Sequence, residues 1–380
     1  MKIIDIPRHL SKVRRLSMLK SMYFYMSRAE ELDEVLASVV DEYDAGALTS
    51  QHFEGCGLVV VGESHSGKTW EIDHALARMA EGGDLLECGR EKRFTQFALN
   101  GETTWKAMGL QITKELGYEM SPRCTEHVIW SEIRKRLQQD GVWLLHIDEC
   151  QHMFQTLGEN ETRKVLNSIK TFMKHRDWPI VVVLSGIPEL MDKVNLDPQL
   201  RNLITPCFLP PLDPLAEDAF DEVDTVLCGF SQATGIGVSD VRNEDVYARL
   251  CHGHGNLYGR IFRFLMDVFA ALPADQSELS VEFLADRYAS RTGCVPCHNV
   301  FLGMTIWDAM SRFCWRELSW AVLELNEVIF GVVGHQTGRD RAKGLPPQEG
   351  DVRCVAWRGQ FCGRSNLSVF VHERLLFTVF

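Results

Sequence analysis

The chain has 380 residues, enough for two domains, and its 45% hydrophobic and 24% charged residues are the balance of a soluble globular protein. A formal net charge of -12 argues against a surface coated in basic residues for indiscriminate DNA binding, while leaving room for a local basic strip. No apolar run is long enough to span a bilayer and the N-terminus lacks the apolar core and cleavage site of an export signal, so a cytoplasmic protein with no membrane partner is expected, its 12 cysteines mostly reduced.

The basic strip comes first, with Lys2, Arg8, Lys12, Arg14, Arg15 and Lys20, followed by an acidic stretch from Glu30 to Asp44. Leu10, Val13, Leu16, Leu19 and Met22 recur at helical spacing, which predicts helix over 8–43. "GLVVV" (57–61) reads as a strand, followed by a loop and a helix from about Lys68 to Met79. "GGDLLEC" (82–88) reads as a turn and a second short strand, and helices fit 102–117 and 124–139. "VWLLHIDE" (142–149) is an apolar run ending in two acids, a helix fits 159–175, and "WPIVVVLSG" (178–186) is apolar throughout, as a strand covered on both faces must be. "ITPCFLPPL" (204–212) is one more short strand closed by prolines. This alternation predicts a doubly wound α/β domain with its ligand site at the carboxyl ends of the parallel strands. After Pro214 four helical segments follow with no strands between them, and a helix near 305–327 is the last periodic feature. The expected organisation is a helical N-terminal segment (1–45), a P-loop core (46–212), a smaller helical lid (213–292) and a tail (293–380). There is no internal repeat.

The loop "GESHSGKT" (Gly62, Glu63, Ser64, His65, Ser66, Gly67, Lys68, Thr69) is a phosphate-binding pattern between a strand and a helix. Gly62 and Gly67 let backbone N–H groups face phosphates, Lys68 sets a positive charge on the β- and γ-oxygens, and Thr69 offers its hydroxyl to Mg²⁺. The helix beginning at Lys68 points its N-terminus at the same anion. Asp148, at the end of a buried strand, is placed to hold Mg²⁺, and Glu149 to polarise the attacking water, so ATP hydrolysis is expected rather than binding alone. His146, inside that strand, reads as a packed neighbour. Ser185, at the tip of "VVVLSG", is expected to sense the γ-phosphate or the water. Arg201, just before the last strand, is a candidate arginine finger reaching a neighbouring subunit, which implies an oligomer. Arg260, on the first turn of the helix in "GHGNLYGRIFRFL", is a candidate second sensor, with Arg263 one turn on as the fallback.

The order of these motifs resembles an AAA+ ATPase. A closer resemblance is to the TniB and TnsC group of transposon ATP-binding regulators. It rests on "LVVVGESHSGKT", "LLHIDECQHM", "LNSIKTFMKHRDWPIVVVLSGIPEL", "DPQLRNLITPCFLPPL" and "GHGNLYGRIFRFL" and covers roughly 8–292. The resemblance implies a ring or filament that forms on double-stranded DNA with ATP, recruits or activates a transposase, and disassembles on hydrolysis. It matches Lys68 and Thr69 to Walker A, Asp148 and Glu149 to Walker B, Ser185 to sensor 1, and Arg201 and Arg260 to the two arginine roles. An acidic chain can still bind DNA this way, because a few lysines per subunit repeat along the polymer.

Two other purposes fit an ATPase of this kind: a helicase or initiator loader, and a signalling switch that does not bind DNA. "CVPCH" (294–298: Cys294, Cys297 and His298) has the spacing of a c-type haem site, but haem attachment needs export, and zinc would need two more ligands than the cysteine pair supplies. Cys314, Cys354 and Cys362 show no matching pair, so ordinary thiols are expected there.

Overall fold

The computed structural model describes residues 6–303, except 50, 51, 84, 100, 156, 215, 217, 218, 274 and 275, together with 368–372 and 375–379. The helix expected near 305–327 lies outside the described residues, as do Cys314, Cys354 and Cys362. The chain forms two compact units, Met1–Arg316 and Glu317–Phe380.

The first unit opens with two helices, α1 (Ile6–Lys20) and α2 (Ser27–Leu48), where the sequence pattern suggested one. The break has a packing cause. Met22 and Phe24 pack into a cluster of helices, while Tyr23 between them donates its hydroxyl to Glu71 in the P-loop core, 2.9 Å away. Neighbouring side chains that must point opposite ways require extended backbone, and Met26 is still extended (φ -121°, ψ 172°) as α2 begins.

A five-stranded parallel sheet follows, in the order β2-β3-β4-β1-β5: β1 (Gly57–Val61), β2 (Phe94–Ala98), β3 (Leu144–Asp148), β4 (Val181–Gly186) and β5 (Ile204–Phe208). β1, β3 and β4 are buried along their whole length, which is why they read as unbroken apolar runs. Leu58, Val60, Leu144, Val181 and Val183 face α2 and α3 (Lys68–Glu81). Val59, Val61, Leu145, Ile147, Val182 and Leu184 face α4 (Trp105–Glu115), α5 (Glu126–Gln139) and α6 (Glu159–Met173). Two short helices, α7 (Glu189–Val194) and α8 (Pro198–Arg201), lead from β4 to β5.

The second strand of the sheet is Phe94–Ala98, not the expected 82–88, where a single bridge joins Leu85 to Glu91. The reason is local. The Asp44 carboxylate accepts the backbone N–H groups of Glu87 (2.7 Å) and Cys88 (2.9 Å), which removes the donors a strand needs. Gly83 and Gly89, at φ 121° and 81°, turn the chain on either side.

Beyond β5 come α9 (Ala219–Thr234), α10 (Glu244–Gly253), α11 (Tyr258–Ala271) and α12 (Val281–Thr292). Their apolar faces share one cluster with Leu19 of α1, and it runs past residue 292 to Val300 and Phe301. Asn299 ties that extension down by donating to Ala285 O, and Arg249 does so by donating to Val300 O. "CVPCH" forms a short turn around Pro296–His298, and no group of three or more His, Cys, Asp or Glu suited to a metal ion occurs among the described residues. No described helix is long and apolar enough to cross a membrane.

The second unit contains an antiparallel hairpin of β6 (Ser368–His372) and β7 (Leu375–Val379).

Candidate nucleotide-binding site

β1, between β4 and the edge strand β5, ends at Val61, and the loop 62–67 returns from it into α3. Gly62 is required by space: a Cβ there would lie 2.6 Å from Leu209 O and 3.1 Å from Ser66 Oγ. His65 and Gly67 take positive φ (67° and 94°), which curls the backbone into a concave turn at the start of α3. Lys68 is buried, and its amine donates to Gly62 O (2.8 Å) and Glu63 O (3.0 Å) of its own loop. Burial lowers its pKa, against the pull of Glu149, Asp148 and Glu63.

The carboxyl ends of β3 and β4 meet this loop. Thr69 Oγ1 donates to Asp148 Oδ2 (2.7 Å) and Ser185 Oγ donates to Asp148 Oδ1 (2.5 Å), which also accepts Glu149 N (2.9 Å). Burial, the largest influence, works to raise the Asp148 pKa, but the hydrogen bonds from Ser185, Thr69 and Glu149 N, with His146 nearby, together outweigh it and the net shift is downward. Asp148 thus stays a carboxylate, as a cation ligand must. Glu149 sits at φ 56°, unusual for a non-glycine residue, with its carboxylate bonded to the Gln151 side-chain amide. Gln151 Oε1 accepts Ile187 N (3.4 Å), and a Cβ on Gly186 would lie 2.5 Å from that same oxygen.

The N-terminal segment and the helical segment complete the surroundings. Arg28 of α2 is buried; it donates to Ser66 O (2.8 Å), pairs with Glu71 (3.4 Å) and lies 4.5 Å over the Tyr258 ring of α11. Among the described residues its Nη2 has no hydrogen-bond partner, nor does the buried Ser66 hydroxyl. Gly259 of α11 lies against the loop, because a Cβ there would meet His65 O at 2.4 Å and Gly67 N at 3.3 Å. A cavity of about 510 Å³ opens beside Gly67, with walls from Met22, Phe24, Trp70, Tyr258 and Phe262.

The structure thus gathers Gly62, Ser66, Gly67, Lys68, Thr69, Asp148, Glu149 and Ser185, with Glu63, Ser64 and His65 forming the loop between them. Arg201 is exposed at the end of α8, a helix held by Asp197, which caps it and pairs with Lys170 (2.9 Å). Arg260 is exposed and makes no side-chain hydrogen bond to the loop among the described residues; its guanidinium lies by Gly255. Arg263 instead lines the cavity. Sequence reasoning did not single out Arg28, Gln96, Gln151 or Gly259. Only Gln151 carried a signal, as a polar residue in "DECQHM" directly after the acidic pair.

A parallel sheet of this order, with a phosphate loop after β1, an Asp-Glu pair closing β3 and a helical segment resting on the loop, defines a P-loop protein of the AAA+ ATPase class. The chain belongs to the TniB family: the family profile described as bacterial TniB protein matches residues 21–213, just over half of it. The comparison with curated protein sequences finds no match. Among solved structures, it is similar to the Aeropyrum pernix ORC1 protein in complex with DNA, at 14% identity and a TM-score of 0.48, covering 71% of this chain and 66% of that one. It is also similar to Cdc6p from Pyrobaculum aerophilum, at 14% identity and a TM-score of 0.49, covering 71% and 69%. This chain thus spans about two thirds of the length of those proteins.

Proposed function

We propose that this chain binds ATP with Mg²⁺ at the loop 62–69, hydrolyses it, and uses the cycle to control an oligomer on double-stranded DNA that recruits or activates a transposase. The observation that carries the chemistry is the hydrogen-bonded set of Thr69, Asp148 and Ser185 beside the buried Lys68 amine. A triphosphate fits what the site lacks. The buried Ser66 hydroxyl and Arg28 Nη2 have no partners among the described residues, and phosphate oxygens supply acceptors. A cation fits the Thr69 hydroxyl and Asp148 carboxylate, two hard oxygen donors already turned toward each other.

The roles follow from position. Lys68 exchanges its loop carbonyls for phosphate oxygens, and backbone N–H groups at the start of α3 hold the same charge. Thr69 and Asp148 would hold Mg²⁺, which when bound neutralises phosphate charge. Glu149, released from Gln151, accepts a proton from the attacking water. Ser185 keeps Asp148 oriented. The cavity beside Gly67 takes the base between Phe24, Trp70, Tyr258 and Phe262, with Arg263 at its rim rather than Arg260. Arg201, exposed at the end of α8, serves the site of a neighbouring subunit.

Membership of the TniB family supports the DNA and transposase part of the reading. Fluorescence anisotropy of a labelled duplex tests it, at one stated salt concentration, with ATP, with ADP, and with the Lys68→Ala variant. Tight binding with ATP alone is expected. Intact ATP turnover with no DNA binding in any nucleotide state would replace this reading with a signalling switch.

A further inference from the structure

A row of polar side chains runs on from Ser185 through two residues to which the roles above give no part, His146, which is buried, and Gln96, which is half-buried. Gln96 on β2, His146 on β3 and Ser185 on β4 lie on three adjacent strands, with Gln96 directly opposite His146 in the parallel register. All three face the α2 and α3 side of an otherwise apolar sheet interior. His146 is 2% exposed. Its Nδ1 lies 3.3 Å from Gln96 Nε2, and its Nε2 lies 2.8 Å from Ser185 Oγ. Gln96 Nε2 also donates to Asp73 Oδ1 of α3, 2.9 Å away.

Donor counting gives the row a direction. The Gln96 amide has two hydrogens, one for Asp73 and one for His146 Nδ1, which makes Nδ1 an acceptor. A neutral imidazole accepting at Nδ1 carries its hydrogen on Nε2 and donates it to Ser185 Oγ. The Ser185 hydroxyl then has one hydrogen, and it goes to Asp148 Oδ1 at 2.5 Å. Without a donor at Nε2, that hydroxyl is free to rotate toward another acceptor. Asp148 would then keep only Thr69 and its own neighbouring N–H as partners.

We propose that His146 is a positioning residue for the cation site, acting through Ser185 to hold the Asp148 carboxylate turned toward Thr69. The inference rests on the nucleotide reading above and deepens it. It also gives Ser185 a different duty from sensing the γ-phosphate, because its single hydrogen is already committed to Asp148. Histidine suits this position because it spans the gap between two strands, accepts on one side and donates on the other, and leaves no polar atom of its own unpaired.

The test uses the full chain with a non-hydrolysable ATP analogue, and compares wild type, His146→Phe and His146→Gln. Two affinities are measured: that of the analogue without metal, and that of Mn²⁺, by electron paramagnetic resonance, for the analogue complex. His146→Phe is expected to weaken Mn²⁺ binding about tenfold, as loss of such a supporting hydrogen bond does, with metal-free analogue affinity unchanged. His146→Gln, which keeps an N–H donor, is expected to recover most of the loss. Should His146→Phe lack a cooperative melting transition, Ser185→Ala carries the test, since it breaks the same link and must weaken Mn²⁺ equally. Wild-type Mn²⁺ affinity in His146→Phe or Ser185→Ala, or a Gln variant no better than Phe, overturns the proposal. Failure of wild type to bind the analogue at all instead overturns the nucleotide reading, and this inference with it.

Discussion

The Lys68 amine is buried and, among the described residues, has only two carbonyls of its own loop as hydrogen-bond partners, so its charge is incompletely compensated. The lowered pKa of Lys68, caused first by burial, reports that cost. Replacing it should therefore do little harm to the free protein and much to the complex. In a thermal-shift measurement Lys68→Ala is expected to melt within a few degrees of wild type, while losing the rise in Tm that ATP gives wild type. An equal ATP-induced rise in the variant would remove Lys68 from the phosphate site. Glu149 is set apart from Asp148 by its partners: the Asp148 carboxylate is bonded to Thr69 and to β4, whereas among the described residues the Glu149 carboxylate accepts from the Gln151 amide alone. Glu149→Gln is expected to bind ATP as wild type does and to turn it over at least about a hundredfold more slowly, the usual contribution of a general base. Comparison of nucleotide affinity with single-turnover rate checks both halves, and normal turnover would leave Gln151 holding a carboxylate with no role in the chemistry.

At the scale of elements, the approach of α11 to the loop depends on one missing methyl group. A Cβ on Gly259 would come within 2.4 Å of His65 O, a backbone atom that cannot swing aside. Gly259→Val is expected to push α11 off the loop and weaken nucleotide binding while the helical cluster still folds; unchanged nucleotide affinity would show that this approach is not used. The same cluster holds a second testable feature. Burial pushes the His254 imidazole down to about 4 from its ordinary 6.5, with Phe264 and Tyr288 packed on its ring. Above pH 6.5 it is neutral folded and unfolded, and its contribution to stability is complete. Between 6.5 and 4 the unfolded chain takes up a proton that the folded one refuses, so stability falls with pH in that window. Melting curves across this window should fall more steeply for wild type than for His254→Phe, and parallel curves would contradict the assignment. How much of this was legible in the sequence follows from where the information lies. The loop, β1, β3 and β4 were readable because strands buried on both faces must be apolar and because phosphate geometry demands glycines at set spacings. β2 was misplaced because its competitor was disabled by Asp44, a residue some forty positions earlier in the chain that satisfies two backbone donors. His146 read as a packed neighbour, and its link to Ser185 depends on which strands lie side by side, which no local pattern encodes.

At the scale of the molecule, the question is whether one chain contains a whole active site. Within a subunit, Lys68, Thr69, Asp148 and Glu149 converge, but Arg201 points outward from α8, and α8 is not free to move independently of the sheet. Asp197 accepts the N–H groups of Gln199 and Leu200 and pairs with Lys170 of α6, while Leu200 is fully buried. A rigidly mounted, exposed arginine suits a site on another copy of the chain better than a flexible one, because less freedom is lost when it docks. If that is its use, two inactive variants should repair each other. Arg201→Ala keeps its own Glu149 but offers no arginine to its neighbour; Glu149→Gln keeps its arginine but has no base. Each alone is expected to hydrolyse ATP at least about a hundredfold more slowly than wild type, by the scale of arginine-finger and general-base losses. Mixed in equal amounts under conditions where the wild type oligomerises, they form interfaces in which an intact Glu149 site faces an intact Arg201. A substantial fraction of wild-type turnover should return and should rise with total protein concentration. Mixtures that co-assemble yet stay as inactive as the separate variants would place Arg201 outside the neighbour's site and leave each subunit to hydrolyse ATP alone.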